Sequence, residues 1–433
     1  MTKKYFIKTL GCKVNQYESQ AMRESLERAG YRESESGDDA DIYVVNTCTV
    51  TGQADSESRQ FVRRFHNKNE HAEIVVAGCC VETEPDAAAF STLPGVSRLV
   101  KNSEKWRIAD LIENDGAPGV PRRVPYTEPT ISDFKGRTRA FIKIQDGCSQ
   151  RCSYCRVALV RGPLKSKPVG IIREEARRLA DKGFKELVLS GICLGAWGAE
   201  ERKKEGIIEA LRALEKVNGE FRIRLSSIEP KHVTGELLSY IAATRRVCSH
   251  LHIPLQSGDD SVLKRMNRAY TAGEYCSLIA RVKAAIPDIS VTTDVIVGFP
   301  GETDQNFENS VRVLKKILPV RVHVFPYSPR VGTAAFGYDG ALDGTVVKAR
   351  TSKMRAAALG MSYLSREKFL NRRLRVLVET TREKESGMLE GYSDNYVKIQ
   401  FKGPDKLMGT IVPLEIEHLT LDKSIGSYQG IRW

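Results

Sequence analysis

The first part of the chain alternates between short apolar runs and longer segments with helical periodicity. Strand-like runs cover residues 4–9, 41–46 and 73–77, and helix-like segments cover 17–29 and 54–67. Strands that alternate with helices of this length form parallel sheets in known folds. The pattern therefore predicts a parallel α/β domain over residues 1–115.

A second series of strand and helix patterns covers residues 135–366. Its strand-like segments are interleaved with helical ones and lie at 140–144, 186–190, 221–226, 250–254, 290–297 and 320–325. Six β/α repeats predict a partial TIM-like (β/α)6 barrel, with functional residues at the carboxyl ends of its strands. Residues 113–138, before this series, contain proline and glycine without hydrophobic periodicity, which is typical of a linker.

The last segment, residues 368–433, has period-two alternation in several short runs. These runs lie at 374–379, 388–392, 396–401 and 409–413. They predict a small antiparallel β-barrel.

Composition limits the cellular setting and the partners. The chain has 433 residues, a formal net charge of +13 and a pI near 9.2. A basic balance favours a polyanionic partner, which on this ground is either a nucleic acid or a membrane surface. No run of 18 apolar residues is present and the N-terminus leads directly into a strand pattern, so we expect a cytoplasmic protein without a membrane segment.

The chain contains ten cysteines. In a reducing cytoplasm they are expected to be metal ligands, catalysts or packing residues rather than disulfides. Cys12, Cys48 and Cys79 each follow one of the first three predicted strands, two of them directly after a glycine. Because the carboxyl ends of parallel strands meet at one edge of a sheet, we expect these thiols to form one metal site. Cys80 is expected to point away from that site.

Three further cysteines lie close together after the first strand of the predicted barrel. Cys148, Cys152 and Cys155 have the spacing C-x3-C-x2-C, and no fourth cysteine or histidine is near in sequence. A cluster held by three thiolates keeps one metal atom open for a cofactor or substrate. The alternatives are a zinc site completed from a distant residue and unligated loop cysteines.

This motif, with Tyr154 before its last cysteine, resembles the signature of radical S-adenosylmethionine enzymes. Several further segments are similar to the methylthiotransferases of that superfamily, so the resemblance covers the whole chain. These segments are 9–19, 46–48, 78–79, 147–155, 160–162, 254–258 and 294–303. Within the family, residues 10–19 resemble the type that acts on threonylcarbamoyladenosine at position 37 of transfer RNA.

The resemblance implies two 4Fe-4S clusters and S-adenosylmethionine as cofactors. One cluster, on Cys148, Cys152 and Cys155, would cleave S-adenosylmethionine to a 5'-deoxyadenosyl radical. The other, on Cys12, Cys48 and Cys79, would hold the sulfur to be inserted, and a second S-adenosylmethionine would supply the methyl group. Such chemistry must come from cofactors, because an aromatic C–H of adenine offers neither an acidic proton nor a leaving group.

The resemblance also implies partners. They are the anticodon loop of a transfer RNA, an electron donor such as flavodoxin or ferredoxin, and a sulfur donor. The C-terminal segment resembles the TRAM domain, an RNA-binding barrel similar to an OB-fold. The alternative substrates are isopentenyladenosine at the same position and an aspartate of a ribosomal protein, and a non-enzymatic iron-sulfur protein is a third class.

Several residues at strand ends are candidates for contacts with S-adenosylmethionine, although each also fits a turn or a structural polar group. These candidates are Tyr154, Ser190, Gly191, Glu229, Gln256, Asp294 and Gly298. His250 and His252 are interpreted as structural. Cys193, Cys248 and Cys276 are interpreted as packing residues. Basic residues surround the second motif and either form a solvated face or guide a phosphate backbone; they are Arg151, Arg156, Arg161, Lys165, Lys167 and Arg173.

Overall fold

The computed structural model describes residues 2–113 and 129–428. Residues 114–128, the centre of the predicted linker, and residues 429–433, the end of the predicted C-terminal domain, lie outside this range. Among the helices described, none has the length and apolar character needed to cross a bilayer.

The N-terminal part is a five-stranded parallel sheet with helices on both faces. Its elements are β1 (Lys4–Thr9), α1 (Lys13–Arg28), β2 (Arg32–Glu33), β3 (Ile42–Thr47), α2 (Gly52–Lys68), β4 (Glu73–Gly78), α3 (Glu84–Ser91), β5 (Val96–Val100) and α4 (Ile108–Glu113). The strand order is β2-β1-β3-β4-β5. Every residue of β3 is buried, as expected for a central strand covered on both faces. The predicted α/β class is confirmed, and β2 and β5 are additional edge strands.

The middle part contains the predicted β/α repeats. Its elements are β6 (Ala140–Asp146), α5 (Val157–Arg161), β7 (Lys165–Ser166), α6 (Val169–Asp181), β8 (Glu186–Gly191), α7 (Ile207–Glu215), β9 (Arg222–Leu225), α8 (Gly235–Ala243), β10 (His250–His252), α9 (Asp260–Arg265), α10 (Ala272–Ala285), β11 (Ser290–Val297), α11 (Asp304–Ile317), β12 (Arg321–Pro326) and α12 (Gly344–Glu367).

Six of these strands form an open, parallel arc. β6, β8 and β9 pair in parallel, as do β10, β11 and β12. Parallel bridges, including the one between Ser227 and His252, join the two sets. No ladder between β12 and β6 occurs in the described chain, so the barrel is partial, as predicted.

The C-terminal part is a small closed barrel. Its strands are β13 (Arg373–Val378), β14 (Leu389–Ser393), β15 (Lys398–Phe401), β16 (Ile411–Leu419) and β17 (Ser424–Ser427), in the order β13-β14-β15-β17-β16. The prediction of a β-barrel is confirmed, but β15 and β17 pair in parallel rather than antiparallel. The short strand β17 was not predicted, because its alternation covers only four residues.

Buried ion pairs attach this small barrel to the end of the β/α barrel at which its strands begin. Arg222 and Arg224 on β9 both pair with Glu186 on β8, and Arg222 also reaches Asp394 of the small barrel at 2.6 Å. The ring of His250 stacks on Tyr396 with a centroid distance of 4.5 Å. His250 is therefore a structural contact between the two barrels, as the sequence predicts.

Candidate functional site

One cavity of about 370 Å³ lies where the carboxyl end of the N-terminal sheet meets the mouth of the partial barrel. A wider groove of about 1250 Å³ beside α7 and α8 contains neither cysteine triad. The predicted site residues that line the smaller cavity are Cys12, Cys48, Cys79, Cys148, Cys152, Tyr154, Cys155, Ser190, Gly191, Glu229, Gln256 and Asp294. Residues from two separate folding units therefore face one shared space.

The loop that carries the second triad leaves β6 at Gly147. Gly147 has φ of +72°, and a Cβ at this position would lie 1.7 Å from the carbonyl oxygen of Pro163. The Cys148 amide donates to the Gly162 carbonyl at 3.0 Å, which closes the loop against the segment after α5. Only glycine fits here, because both the left-handed backbone and the lack of space exclude a side chain.

We expect Gly147→Ala to prevent correct formation of this loop. The left-handed conformation alone costs about 1–3 kcal/mol for a non-glycine residue, and the clash with Pro163 adds to it. The matched control is Gly136→Ala, since Gly136 has φ of +69° but nothing within 4 Å of an added Cβ. Iron bound per chain after reconstitution should fall well below wild type for Gly147→Ala only; equal iron in both variants would contradict this role of Gly147.

The loop also presents backbone donors to its sulfur atoms. The Gln150 amide lies 3.4 Å from Cys148 Sγ, and the Val157 amide lies 3.4 Å from Cys155 Sγ. Such N–H groups stabilise thiolates, as they do around iron-sulfur clusters. Without a metal, burial raises the pKa of Cys155 to about 12. These amides fit a site in which a positive metal centre, rather than solvent, keeps the thiols ionised.

The N-terminal triad is assembled from three strand ends, as the sequence predicts. Cys12 lies after β1 at the N-cap of α1, Cys48 follows β3, and Cys79 follows β4. Burial raises the pKa of Cys48 to about 12, with smaller contributions from the neighbouring thiols of Cys79 and Cys12. The three sulfurs are thus close enough to influence one another.

Two glycines make this approach of the strand ends feasible. A Cβ at Gly11 would lie 2.5 Å from Cys48 Sγ, and one at Gly78 would lie 2.8 Å from the Thr47 carbonyl oxygen. Both glycines have positive φ, +91° and +105° respectively. A positive helix end at Cys12 favours bound anions such as a thiolate-ligated cluster. The three thiols of this triad and the space between them therefore fit an iron-sulfur cluster.

Cys80 does not line this cavity. Its thiol lies 3.3 Å from an Asp55 carboxylate oxygen and 3.4 Å from the Cys48 carbonyl oxygen, and its side chain is fully buried. β4 ends at Gly78, and the following turn of 3-10 helix directs the two neighbouring cysteines differently. This placement agrees with the expectation that Cys80 points away from the triad.

The residues predicted to contact S-adenosylmethionine lie beside the Cys148 triad, with one exception. Gly298 does not line the cavity: its amide donates to Glu302 Oε1 at 3.1 Å, and a Cβ there would lie 2.7 Å from Val347 on α12. The structure therefore gives Gly298 a packing role against α12, which differs from the prediction. The return of α12 over this loop is a long-range contact that no local motif indicates.

Arg268 was not among the predicted site residues, although it contacts two of them. Its guanidinium lies 3.2 Å from Cys152 Sγ and forms a salt bridge with Glu229. Arg268 is only 9% exposed, so both contacts are made in a poorly hydrated environment. A guanidinium placed in this way offsets negative charge at the Cys148 triad and orients the Glu229 carboxylate.

Cys193 has a partner that its sequence context does not reveal. Its thiol donates to Cys148 and thereby lowers the pKa of Cys148 to about 6. Cys193 also lies 3.9 Å from Gln150 Nε2 and 3.9 Å from His232 Nε2. The interpretation of Cys193 as a packing residue is therefore incomplete, whereas Cys248 and Cys276 are buried as expected.

Part of the predicted basic surface is internal. Arg156 pairs with Asp86, Arg161 with Glu18, and Lys167 with Glu175, and all three cations are committed to contacts inside the protein. The first two join the barrel to the N-terminal sheet. Arg151, Lys165 and Arg173 remain exposed.

Comparisons with known proteins agree with this arrangement. Residues 4–99 match uncharacterized protein family UPF0004, and residues 142–314 match the radical SAM superfamily. Among solved structures, a cobalamin-binding radical S-adenosylmethionine methyltransferase, TsrM from Kitasatospora setae, superimposes with a TM-score of 0.52 at 15% identity, covering 78% of this chain and 77% of its own. That likeness concerns the fold.

Curated relatives match nearly the full length. The threonylcarbamoyladenosine tRNA methylthiotransferases MtaB of Thermotoga maritima and Bacillus subtilis are 39% and 36% identical, covering 92% and 94% of this chain and 91% and 92% of their own. A tRNA-2-methylthio-N(6)-dimethylallyladenosine synthase of Aquifex aeolicus is 32% identical, covering 96% of each chain. The two cysteine triads thus occur in the fold and in the sequence context of known enzymes, and the chain belongs to the radical S-adenosylmethionine methylthiotransferase family.

Proposed function

We propose that this enzyme transfers a methylthio group to C2 of N6-threonylcarbamoyladenosine at position 37 of a transfer RNA. The observation that supports it most strongly is the convergence of two cysteine triads on one cavity. Substitution of an unactivated aromatic C–H by sulfur requires both a means to activate the carbon and a source of sulfur, and each triad can hold one of these. The relatives of 36–39% identity act, by their names, on this nucleoside.

Membership of the radical SAM superfamily implies S-adenosylmethionine and one 4Fe-4S cluster, and a second cluster is part of the proposal. Cys148, Cys152 and Cys155 would hold the first, and Cys12, Cys48 and Cys79 the second. When bound, the clusters would supply the electron that cleaves S-adenosylmethionine and the sulfur that is transferred.

The chain's own residues position the reactants in this proposal. The cavity wall beside the Cys148 triad is formed by Ser190, Gly191, Gln256 and Asp294. In the same region, Tyr154 packs edge-on against Phe299 with a centroid distance of 6.5 Å. Glu229, fixed by Arg268, would accept hydrogen bonds from a bound S-adenosylmethionine. Ser190 is buried, whereas Gly191, Glu229, Gln256 and Asp294 are half-buried in the cavity wall.

The proposed substrate also assigns roles to the remaining surfaces. The small barrel, which we place in a domain over residues 368–433, would bind the transfer RNA, and exposed Arg151, Lys165 and Arg173 would contact its phosphates.

The N-terminal domain would cover residues 1–115, and the radical SAM core would cover residues 135–366. A flavodoxin or ferredoxin would supply electrons, a separate donor would restore sulfur, and a transfer RNA substrate fits a cytoplasmic location.

Deletion of the gene, followed by mass spectrometry of transfer RNA nucleosides, tests the proposal. We expect 2-methylthio-N6-threonylcarbamoyladenosine to disappear while N6-threonylcarbamoyladenosine accumulates, and a plasmid copy of the gene to restore the product. Loss of the methylthio derivative of isopentenyladenosine instead would support the second candidate substrate, which the 32% identical relative favours. No change in either nucleoside would contradict a role in transfer RNA modification.

A further inference from the structure

The proposed substrate places a negative charge inside the cavity. The threonylcarbamoyl group ends in a carboxylate, whereas the dimethylallyl group of the alternative substrate is apolar. Removing a carboxylate from water is costly unless a cation or several hydrogen-bond donors meet it. The cavity should therefore contain a cation that is available to the substrate, and this expectation rests on the proposed function.

Among the described residues, four cationic side chains line the cavity, and three of them already have partners within the protein. Each of these three arginines pairs with a carboxylate and makes at least one further polar contact within the protein. Arg156 bonds Asp86 and Thr49, Arg161 bonds Glu18 and Asn15, and Arg268 bonds Glu229 and Cys152. Using any of them for the substrate would leave a buried or half-buried carboxylate short of its partner.

Lys13 is the fourth cation, and it differs from the other three. It lines the cavity but is exposed, and within residues 2–113 and 129–428 its ammonium has neither an ion-pair partner nor a hydrogen-bond acceptor. Lys13 is the first residue of α1, whose first turn contains no acidic side chain. Its charge therefore adds to the positive end of a 16-residue helix.

The strand β12 contributes His323, which lies on the barrel side next to the cavity residue Asp294. His323 lies with His252 and Asp294 in a group whose polar atoms are all within 4.8 Å of one another, and His252 Nε2 donates to Asp294 Oδ2 at 3.0 Å. Lys13 and Arg321 both act electrostatically on His323, whose pKa burial lowers to about 4. His323 is thus a neutral donor whose ring lies within 4.8 Å of the carboxylate of Asp294, a residue that lines the cavity.

We propose that the Lys13 ammonium binds the carboxylate of the threonylcarbamoyl group and that the His323 imidazole donates a further hydrogen bond to this group. Lys13 is then a specificity-determining residue. It strengthens the binding of adenosine with an anionic substituent on N6, and it does not strengthen the binding of adenosine with an apolar one. His252 forms a hydrogen bond with the Asp294 carboxylate, so that this carboxylate is not left unpaired beside the substrate carboxylate.

Binding of synthetic anticodon stem-loops tests this inference. One stem-loop carries N6-threonylcarbamoyladenosine, and a second carries the same group with its carboxylate converted to a carboxamide. Dissociation constants would be measured by fluorescence anisotropy for the reconstituted wild type, for Lys13→Met, and for Lys13→Arg. Lys3→Met is the matched control, since Lys3 is exposed at the amino end of β1, the opposite edge of the sheet.

Wild type should prefer the carboxylate by roughly 10- to 100-fold, the range expected for a hydrogen bond to a charged group. Lys13→Met should bind both stem-loops with equal affinity, while Lys13→Arg and Lys3→Met should keep the preference. Equal iron content in all four proteins would show that the triad beside Lys13 is intact.

The inference would be overturned if Lys13→Met still bound the stem-loop with the carboxylate more tightly. It would also be overturned if wild type bound both stem-loops with equal affinity but still methylthiolated the natural one. In both cases the proposed function would stand. Wild type that fails to methylthiolate the natural stem-loop, but accepts one with isopentenyladenosine, would overturn the proposed function itself.

Discussion

Cys152→Ala should abolish cleavage of S-adenosylmethionine, whereas Cys48→Ala should retain cleavage and lose the methylthio product. The reason is the separation of the two triads on different folding units: Cys152 lies in the loop after β6, and Cys48 lies at the end of β3. If each triad holds its own cluster, removing one ligand disables only the chemistry of that cluster. Formation of 5'-deoxyadenosine and of the modified nucleoside would be measured in the same reaction.

Cys276→Ala is the matched control for both variants. Cys276 is buried on α10 and does not line the cavity, so both activities should remain. Loss of both activities in Cys152→Ala and also in Cys48→Ala would contradict a division of labour between the triads.

Glu18→Gln should lower the free energy of unfolding by about 3–5 kcal/mol, the usual cost of removing one partner from a buried ion pair. Glu18 on α1 is 3% exposed, and it meets Lys105 at 2.6 Å, Lys143 at 2.8 Å and also Arg161. The substitution would leave these cations short of negative charge at the contact between the N-terminal sheet and the barrel. Urea unfolding followed by circular dichroism would measure the change.

The same carboxylate predicts a pH dependence. Burial raises the pKa of Glu18, but the charges of Arg161, Lys105 and Lys143 outweigh burial and hold it well below its usual value. A depressed pKa in the folded state means that the stabilisation is complete above the unfolded-state value and is lost as the pH falls below it. Wild type should therefore lose stability below about pH 4.5, the ordinary range for a glutamate, more steeply than Glu18→Gln.

Glu174→Gln is the control, because Glu174 forms an exposed pair with Arg177 on α6. Its urea midpoint should equal that of wild type. A Glu18→Gln midpoint that is also unchanged would show that the buried ion pairs do not hold the two units together.

Local spacing was sufficient to predict the Cys148 triad, and the position of three cysteines after successive strands was sufficient to predict the other. Cys148, Cys152 and Cys155 lie within eight residues, so one loop brings them together, and the strand ends at Cys12, Cys48 and Cys79 converge because the sheet is parallel. The same reasoning predicted the α/β domain, the partial barrel and the small C-terminal barrel. In each case, the evidence was a periodic pattern or a short motif.

Contacts of single charged residues with partners distant in sequence were not predicted. Arg268 reaches Cys152 across 116 residues, and Glu18 reaches Arg161 across 143. A lone arginine or glutamate has no spacing that marks it as an internal partner. Gly298 is the converse case, because the sequence names this strand-end glycine as a candidate ligand contact, whereas it lies outside the cavity and α12 occupies the space beside it.

The iron content of the reconstituted protein tests the two-cluster site most directly. Wild type should bind about eight iron atoms per chain, and replacing all three cysteines of either triad by alanine should leave about four, as expected for two independent 4Fe-4S clusters. About four iron atoms in wild type, with none lost when Cys12, Cys48 and Cys79 are replaced together, would contradict the second cluster.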